Sequence, residues 1–378
     1  MNKPLASIII TNYNYERFLS EAIESALNQS YQPIEVIVVD DGSTDRSRQL
    51  IADYGERVIP LLKENGGQGS AFNAGFEISQ GKVICFLDAD DILLPGAIES
   101  AVELLHDLNV VQVHWPLCAI DAQGKSLGKL IPDQPLPEGD LRDAHLKGGI
   151  EGYILSPTSG NAWSRHYLKQ ILPLPAIHYR FNADSYVAFL APFFGRLKRI
   201  IEYQALYRIH GDNGTSKCAY SWQLNQYDGQ ITAVSEHLQK QGIQKDVLEQ
   251  WKGPEYRHLQ TMVEISKQLE PIIPPGKTYI LVDMAEWGSG QLLENCQSIP
   301  FLEKDGLYWG APSDDATAIQ EFERLRREGA SFILFAYPAF WWLDYYVEFT
   351  RYLKTKFHCV LSNQHLIVFD LQSDVYSG

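Results

Sequence analysis

Cysteine is scarce in this chain and forms no recognisable metal-binding or disulfide pattern. The five cysteines are scattered and include no Cys-x-x-Cys pair; they are Cys85, Cys118, Cys218, Cys296 and Cys359. An odd and dispersed set argues against a disulfide framework and against a zinc site. We therefore expect the protein to work in the cytoplasm, where thiols stay reduced.

Positive charge and long apolar runs are also lacking. The 378 residues include 32 Lys and Arg against 47 Asp and Glu, a formal net charge of -15. Broad nucleic acid binding needs a basic surface, so we expect no nucleic acid partner. Residues 332–346 form the most apolar later window, which is too short for a bilayer. Because the N-terminus also lacks a signal-peptide pattern, we expect no membrane span.

The first hundred residues alternate strand and helix patterns. Apolar strand patterns cover residues 7–11, 34–39, 58–62 and 82–87, and a predicted helix follows each of them. This order predicts an α/β fold with a doubly wound, Rossmann-like open sheet. The length exceeds that of one hydrophobic core, so we expect two domains.

The later chain divides further. Residues 121–149 are rich in Gly and Pro and predict a long functional loop. Residues 220–268 have helical spacing, and a second α/β pattern begins after the Pro-rich stretch 271–276. We predict an N-terminal domain at 1–218, a helical linker at 219–272 and a smaller C-terminal α/β domain at 273–378.

Polar clusters follow three of the predicted strands, at residues 11–13, 40–42 and 88–91. In open α/β sheets the carboxyl ends of strands border the ligand crevice, so one crevice can collect these clusters. The last cluster places Asp88, Asp90 and Asp91 within four residues. Three like charges indicate either a cation-diphosphate site or a solvated turn that caps the next helix.

These motifs, in this order and spacing, resemble the nucleotide-sugar-binding half of family 2 glycosyltransferases with the GT-A fold. The resemblance covers roughly residues 5–215. It implies a metal-dependent, inverting transferase of the hexosyltransferase type that moves a sugar from a nucleoside-diphosphate sugar, with a UDP-sugar favoured. The implied acceptor is a hydroxyl of a glycan, lipid-linked or protein acceptor in polysaccharide or glycoconjugate assembly, with peripheral association at the inner membrane face if the acceptor is lipid-linked.

The resemblance also implies roles for donor-site residues. Asp88 would face the ribose or the metal, and Asp90 would ligate Mg²⁺ or Mn²⁺. Thr11 and Tyr13 match positions that contact the nucleobase, Tyr13 by stacking its ring. Asp41 matches a carboxylate that accepts a hydrogen bond from a uracil-like N–H.

Further roles fall on the second half of the matched region. Asp184 matches the catalytic base, with Ala183 where many members have another acid; the alternative is a helix N-cap. Arg208 would pair with phosphate, and His210 would join the metal shell or be a polar surface residue. Trp163 is either a stacking surface for the acceptor sugar or a core tryptophan.

The sequence leaves two other functional classes open. A nucleotidyltransferase also uses an open sheet and a metal, although residues 11–15 lack its glycine-rich basic loop. A glycan-binding or scaffolding protein without turnover is the non-enzymatic alternative. The resemblance assigns no role to the C-terminal domain, whose aromatic run 340–342 is core, an oligomer contact or a glycan platform.

Overall fold

The structure is a computed structural model that describes residues 3–149, 152–210, 218–243, 251–287, 290–304 and 307–374. The chain divides into two compact units. The first comprises residues 1–214 with 226–253, and the second comprises residues 215–225 with 254–378. The predicted boundaries at 218 and 272 stay a prediction.

A sheet of seven described strands forms the centre of the first unit, in the order β10-β6-β9-β4-β1-β2-β3. A smaller sheet has the order β5-β11-β7-β8. The strands are β1 (Ala6–Asn12), β2 (Ile34–Asp41), β3 (Ile59–Lys63), β4 (Val83–Asp88), β5 (Ile92–Leu93), β6 (Val110–His114), β7 (Leu117–Ile120), β8 (Ser126–Ile131), β9 (Asn161–Ser164), β10 (Arg196–Arg199) and β11 (Ala205–Arg208).

Helices cover both faces of the large sheet. Those of the first unit are α1 (Leu19–Leu27), α2 (Ser47–Asp53), α3 (Gln68–Ile78), α4 (Ala97–Leu104), α5 (Arg142–Gly148), α6 (Arg165–Ile171) and α7 (Ala183–Leu190), with 3-10 turns at Gly55–Arg57, Thr158–Gly160, Ala176–His178 and Ala191–Phe193. Helix α8 (Tyr220–Lys240) contributes residues to both units.

Alternate residues of the central strands enter two hydrophobic cores. Ile8 and Ile10 of β1 pack in the core that contains residues of α1 and α4. Ile9 packs in the core on the other face, with residues of α3, α6 and α7. Because both faces are covered, the central strands are apolar along their length. The predicted strands at 7–11, 34–39 and 82–87 are confirmed.

Two features of the first unit differ from expectation. The predicted loop at 121–149 contains β8 and α5. A tight turn starts the hairpin of β7 and β8, because the Asp121 carboxylate accepts hydrogen bonds from two later backbone N–H groups and Gly124 has a φ of 82°. In addition, β9 is antiparallel to β4 and β6, so the sheet is mixed.

The second unit has a sheet in the order β13-β12-β16-β18-β17, as the predicted smaller α/β domain requires. Its strands are β12 (Thr278–Val282), β13 (Gln297–Pro300), β14 (Glu303–Lys304), β15 (Leu307–Tyr308), β16 (Ala330–Ala336), β17 (Phe357–Ser362) and β18 (Leu366–Asp374). Its helices are α9 (Pro254–Leu269), α10 (Asp315–Arg327), α11 (Trp341–Tyr345) and α12 (Val347–Lys356), with a 3-10 turn at Tyr337–Ala339.

Residues 341–356 form two helices rather than one continuous helix. Tyr346 separates α11 from α12 with a ψ of 76°, outside the helical range. No helix in the described ranges combines the length and hydropathy that crossing a membrane requires.

Candidate active site

The three predicted strand-end clusters lie along one edge of the large sheet. Strand β1 is parallel to both β2 and β4. Thr11 is opposite Asp88, and Asn12 is opposite Asp40. The sheet order places β1 between the other two strands, so their polar carboxyl ends border a common region.

Carboxylates from two distant segments converge at this edge. Asp88 ends β4, and Asp184 lies in the first turn of α7. Burial, followed by the charges of Asp90 and Asp184, raises the pKa of the Asp88 carboxyl to about 7. Burial also raises the pKa of Asp184. The charges act on one another because the chain brings them together in a partly dehydrated place.

Asp91 is the deepest carboxylate of this group. Burial and then the charges of Asp90 and Asp88 raise its pKa well above the usual range. One oxygen accepts a hydrogen bond from the Arg208 backbone N–H at 3.0 Å. Asp91 therefore ties the end of β11 to the loop after β4.

The side chain of Gln68 links the two carboxylate segments. Its Nε2 donates to Asp88 Oδ1 at 3.2 Å and to Thr158 Oγ1 at 3.3 Å. Its Oε1 accepts from the Ala183 N–H at 2.9 Å, at the start of α7. The residue before Asp184 is thereby fixed relative to Asp88.

Thr158 and Ser159 complete this polar network from the 3-10 turn before β9. The Thr158 hydroxyl hydrogen-bonds with both Asp88 and Asp184 and lowers the pKa of each. A hydroxyl has one proton, so it donates to one carboxylate at a time. Ser159 Oγ accepts from the Asp88 N–H at 3.1 Å. These residues hold the acidic side chains in their orientation.

His210 lies next to Asp90. The Nε2 atom of His210 is 3.0 Å from Asp90 Oδ2. The imidazole packs against the rings of Phe18, with centroids 5.0 Å apart, and Tyr15, with centroids 5.6 Å apart. The aromatic contacts orient the Nε2 atom of His210 toward the Asp90 carboxylate. An imidazole nitrogen and a carboxylate oxygen are therefore adjacent at this edge of the sheet.

Comparisons with known proteins agree with this geometry. Residues 7–158 match the sequence model of glycosyl transferase family 2. An uncharacterized glycosyltransferase of Nostoc sp. is 39% identical over 217 residues, which cover 56% of this chain and 67% of that protein. The chain belongs to glycosyltransferase family 2. An uncharacterized glycosyltransferase of Rickettsia prowazekii is 43% identical over 133 residues, 35% of this chain and 42% of that relative, so the match spans less than half of its length.

Solved structures share the fold of this glycosyltransferase. The S. aureus protein TarS, residues 1–349 in complex with UDP-GlcNAc, superposes with a TM-score of 0.52 and covers 71% of this chain and 76% of that chain. The same TarS fragment in complex with UDP gives a TM-score of 0.50, with 71% and 80% coverage. At 16% identity these matches show a shared fold alone. The predicted GT-A fold is confirmed.

Tyr13 and Asp41 of the glycosyltransferase stand at the donor end of the predicted site. The Tyr13 ring is 47% exposed just after β1, so its face is accessible. Asp41 is buried, and its carboxylate accepts hydrogen bonds from Lys63 at 2.5 Å and from the Gly66 and Gly67 N–H groups at 3.0 and 2.7 Å. Asp41 thus anchors the glycine-rich turn at residues 65–69, and its predicted contact with a nucleobase stays a prediction.

Gly67, in the same turn, lies very close to the backbone of Arg180. Its φ is 85°, and a Cβ there would lie 2.5 Å from the Arg180 Cα. Only glycine fits both the left-handed backbone and this contact. The turn therefore packs against the segment that leads to α7.

Arg208 has a different environment from the predicted phosphate contact. Its side chain is 1% exposed, donates to the Asp90 carbonyl at 2.9 Å and pairs with Glu21 at 2.8 Å. The guanidinium also lies 4.7 Å from the centroid of the Phe18 ring. This burial argues against a direct phosphate contact. Arg208 instead supports the acidic loop through its hydrogen bond to the Asp90 carbonyl.

Trp163 is a core residue. It lies in β9, is 2% exposed and packs with Tyr167 in the hydrophobic core on the face of α6 and α7. A buried indole offers no face to a sugar ring. The structure corrects the predicted stacking of Trp163 on an acceptor and supports the core alternative.

The three predicted metal ligands, Asp88, Asp90 and His210, interact with one another two at a time. Asp90 contacts His210, and Asp88 interacts electrostatically with Asp90. In the part of the chain that the structure describes, no group of three or more His, Cys, Asp or Glu side chains is arranged to hold a metal ion. The donor types still fit Mg²⁺ or Mn²⁺, because carboxylate oxygens are their preferred protein ligands.

Proposed function

We propose that this chain is a metal-dependent, inverting glycosyltransferase of the hexosyltransferase type. It moves a sugar from a nucleoside-diphosphate sugar, with a UDP-sugar favoured, to a hydroxyl of a glycan or glycoconjugate acceptor. The observation that supports this proposal best is the convergence of Asp88, Asp90 and Asp184 at the carboxyl edge of the sheet in a member of glycosyltransferase family 2.

Asp184 is the proposed general base. Its carboxylate lies at the start of a helix, and burial raises its pKa, which makes the carboxylate a stronger base. Asp184 takes the proton of the acceptor hydroxyl, the oxygen forms a bond to the anomeric carbon, and the bond to the nucleoside diphosphate breaks. One in-line displacement inverts the anomeric centre.

The donor is held by the ends of β1 and β2. Tyr13 would stack on the base with its exposed ring, while Thr11 and Asp41 lie at the ends of neighbouring strands. TarS has been solved with UDP and with UDP-GlcNAc, which favours a uridine donor here. Stacking on one exposed ring contributes about 1–3 kcal/mol to base binding.

Asp88, Asp90 and His210 are the residues that would hold a divalent cation. The raised pKa of Asp88 follows from burial and from negative charge that the surrounding protein compensates only in part. A bound Mg²⁺ or Mn²⁺ supplies positive charge that stabilises the departing diphosphate. The residues themselves orient the donor and keep acceptor and donor in line.

We place this activity in the cytoplasm. All five cysteines are free thiols in the structure, as a reducing compartment requires. A lipid-linked acceptor would bring the enzyme to the inner face of the membrane as a peripheral protein. Residues 1–218 would form the catalytic domain, with a helical linker at 219–272 and a C-terminal α/β domain at 273–378.

Calorimetric titration of nucleotides tests the proposal. UDP, GDP and dTDP are each titrated into the wild-type chain with Mn²⁺ and with a chelator, and the best binder is repeated with Asp90→Asn. We expect metal-dependent binding of one nucleotide, UDP first, and a loss of at least tenfold in affinity in the variant. Binding of none of the three nucleotides would contradict the proposal and favour a glycan-binding protein without turnover.

A further inference from the structure

The second unit contains a strand arrangement that creates a ligand crevice in other α/β folds. Strand β12 lies between β13 and β16 and is parallel to both. The chain leaves β12 toward β13 on one side, whereas it leaves β16 toward β17 and β18 on the other. The connections diverge between β12 and β16. Ligands of open α/β sheets bind outside the carboxyl ends of strands at such a switch point.

The backbone at this point has an unusual conformation. Met284 and Ala285, just after β12, both have a φ of 59° although neither is glycine. The Asp283 carboxylate holds them there by accepting hydrogen bonds from the N–H groups of Ala285 at 3.1 Å and Trp287 at 3.3 Å. Residues other than glycine rarely adopt this left-handed backbone, and such strain concentrates at binding sites.

Exposed aromatic rings lie beside this strained turn. Trp341 is 42% exposed, and its Nε1 is 3.2 Å from the sulfur of Met284. Tyr345 is 67% exposed, and its ring centroid is 5.7 Å from that of Trp341. The planes of the two rings are inclined at 69° to each other. We call Trp341 and Tyr345, with the Met284 side chain beside Trp341, the aromatic platform. Tyr337, directly after β16, is a further exposed ring.

The charged residues near the aromatic platform are acidic, and they indicate which class of ligand it can bind. Exposed Asp344 lies in α11 between Trp341 and Tyr345, and exposed Glu286 follows the strained turn. These carboxylates disfavour phosphate groups, nucleic acid and anionic lipid. They accept hydrogen bonds well from hydroxyl groups, while the rings offer apolar faces. A neutral sugar ring has both features, a C–H face and a rim of hydroxyl groups.

We propose that the carboxyl edge of β12 and β16 is a saccharide-binding site of the second unit, where Trp341 and Tyr345 stack on neutral sugar rings of a glycan. The site needs no catalysis. Its existence is independent of the proposed transferase activity, because it requires only that a glycan binds to the second unit.

Affinity electrophoresis of the full chain tests this proposal. Each native gel contains one polysaccharide, and a gel without polymer is the reference. Dextran, galactomannan and hydroxyethyl cellulose are the neutral probes, and polygalacturonate is the anionic probe. We expect at least one neutral polysaccharide to retard the wild-type chain. Trp341→Ala and Tyr345→Ala should each weaken that interaction about tenfold, the usual effect of removing an aromatic anchor. Trp341→Phe keeps a stacking ring and should retain most of the binding.

Controls separate this site from misfolding and from the first unit. Tyr203→Ala removes an exposed ring of the first unit and should leave retardation unchanged. Metal-dependent nucleotide binding, measured on the same variants, should equal that of the wild type. Retardation by no neutral polysaccharide, or retardation that survives both platform variants, would overturn the proposal. So would binding of NAD or S-adenosylmethionine that Trp341→Ala abolishes, since it would assign the edge to a nucleotide.

Discussion

Gln68 and Ala183 are joined by a hydrogen bond of 2.9 Å from the Ala183 N–H to the Gln68 Oε1, although 115 positions separate them in the chain. The amide nitrogen of the same side chain donates to Asp88 at 3.2 Å. One neutral side chain therefore sets the distance between the acidic strand end and the helix that presents Asp184.

Replacing Gln68 tests this positioning role. Gln68→Leu keeps the volume but removes the hydrogen bonds to Asp88, Thr158 and the Ala183 N–H, each of which is worth about 1 kcal/mol. We expect the rate of sugar-nucleotide turnover to fall about tenfold with little change in nucleotide affinity. Gln80→Leu, at an exposed position, is the control and should match the wild type. Equal turnover in the two variants would remove Gln68 from the site.

Asp184→Asn tests the proposed base. The amide keeps the size of the carboxylate but cannot accept the acceptor proton, so we expect turnover to fall about 10²- to 10⁴-fold. Nucleotide affinity, measured by calorimetry, should stay the same. Asp143→Asn is a matched control, because Asp143 is an exposed aspartate in the first turn of another helix. Unchanged turnover in Asp184→Asn would assign Asp184 to helix capping.

The acidic strand end could be predicted from the sequence because strands buried on both faces are apolar, and the polar residues that end them stand out. Gln68 and Thr158 could not be found in this way. Their partners lie 20 to 115 positions away, so their contacts depend on how segments meet in three dimensions. The signals available were the glycine-rich turn around Gln68 and the polar turn before β9, which mark a turn without giving side-chain directions.

The contacts of Arg208 also depend on how distant segments pack. A sequence identifies a cation near acidic residues, but not the side of the acidic loop from which the cation approaches. The insertion of antiparallel β9 between β4 and β6 is a similar case. It buries Trp163, which the local sequence leaves open as a surface residue.

Tyr13→Ala tests base stacking. Loss of an exposed ring that stacks on a nucleobase costs about 1–3 kcal/mol, so we expect UDP affinity to fall at least fivefold. Tyr13→Phe should retain the wild-type affinity, since the ring and not the hydroxyl makes the contact. Tyr203→Ala removes another exposed tyrosine of the same unit. A similar affinity in Tyr13→Ala and Tyr203→Ala would contradict the stacking role.

Arg208→Met distinguishes structural support from phosphate binding. The substitution removes the guanidinium that pairs with Glu21 and holds the Asp90 carbonyl, which leaves the buried Asp90 and Asp91 without this compensating charge. We expect a loss of about 3 kcal/mol in stability, measured as a lower melting temperature. Arg46→Met breaks an exposed pair with Glu16 and should change stability little. Weaker UDP binding with an unchanged melting temperature would instead support a phosphate contact.

His145 predicts acid sensitivity of the first unit. Its ring is buried among uncharged aromatic side chains, with centroids 4.8 Å from Trp251 and 5.1 Å from Tyr153. Burial lowers the pKa of His145 from an ordinary value of 6.5 to about 4. The imidazole is neutral in both states above pH 6.5. As the pH falls from 6.5 toward 4, His145 is protonated in the unfolded chain but stays neutral in the folded chain. The free energy of unfolding therefore decreases.

His145→Leu should remove this part of the acid sensitivity. Between pH 6.5 and 5 the lowered pKa corresponds to about 2 kcal/mol, or a shift of about 5 °C in melting temperature for a unit of this size. We therefore expect calorimetry at pH 7 and pH 5 to give a smaller shift for His145→Leu than for the wild type. His106→Leu changes an exposed histidine and should retain the full shift. Burial also lowers the pKa of His114 to about 4, but His114 is present in all three chains and contributes equally to each shift. Equal shifts in all three chains would contradict the prediction, because protonation of His145 would then not destabilise the folded protein.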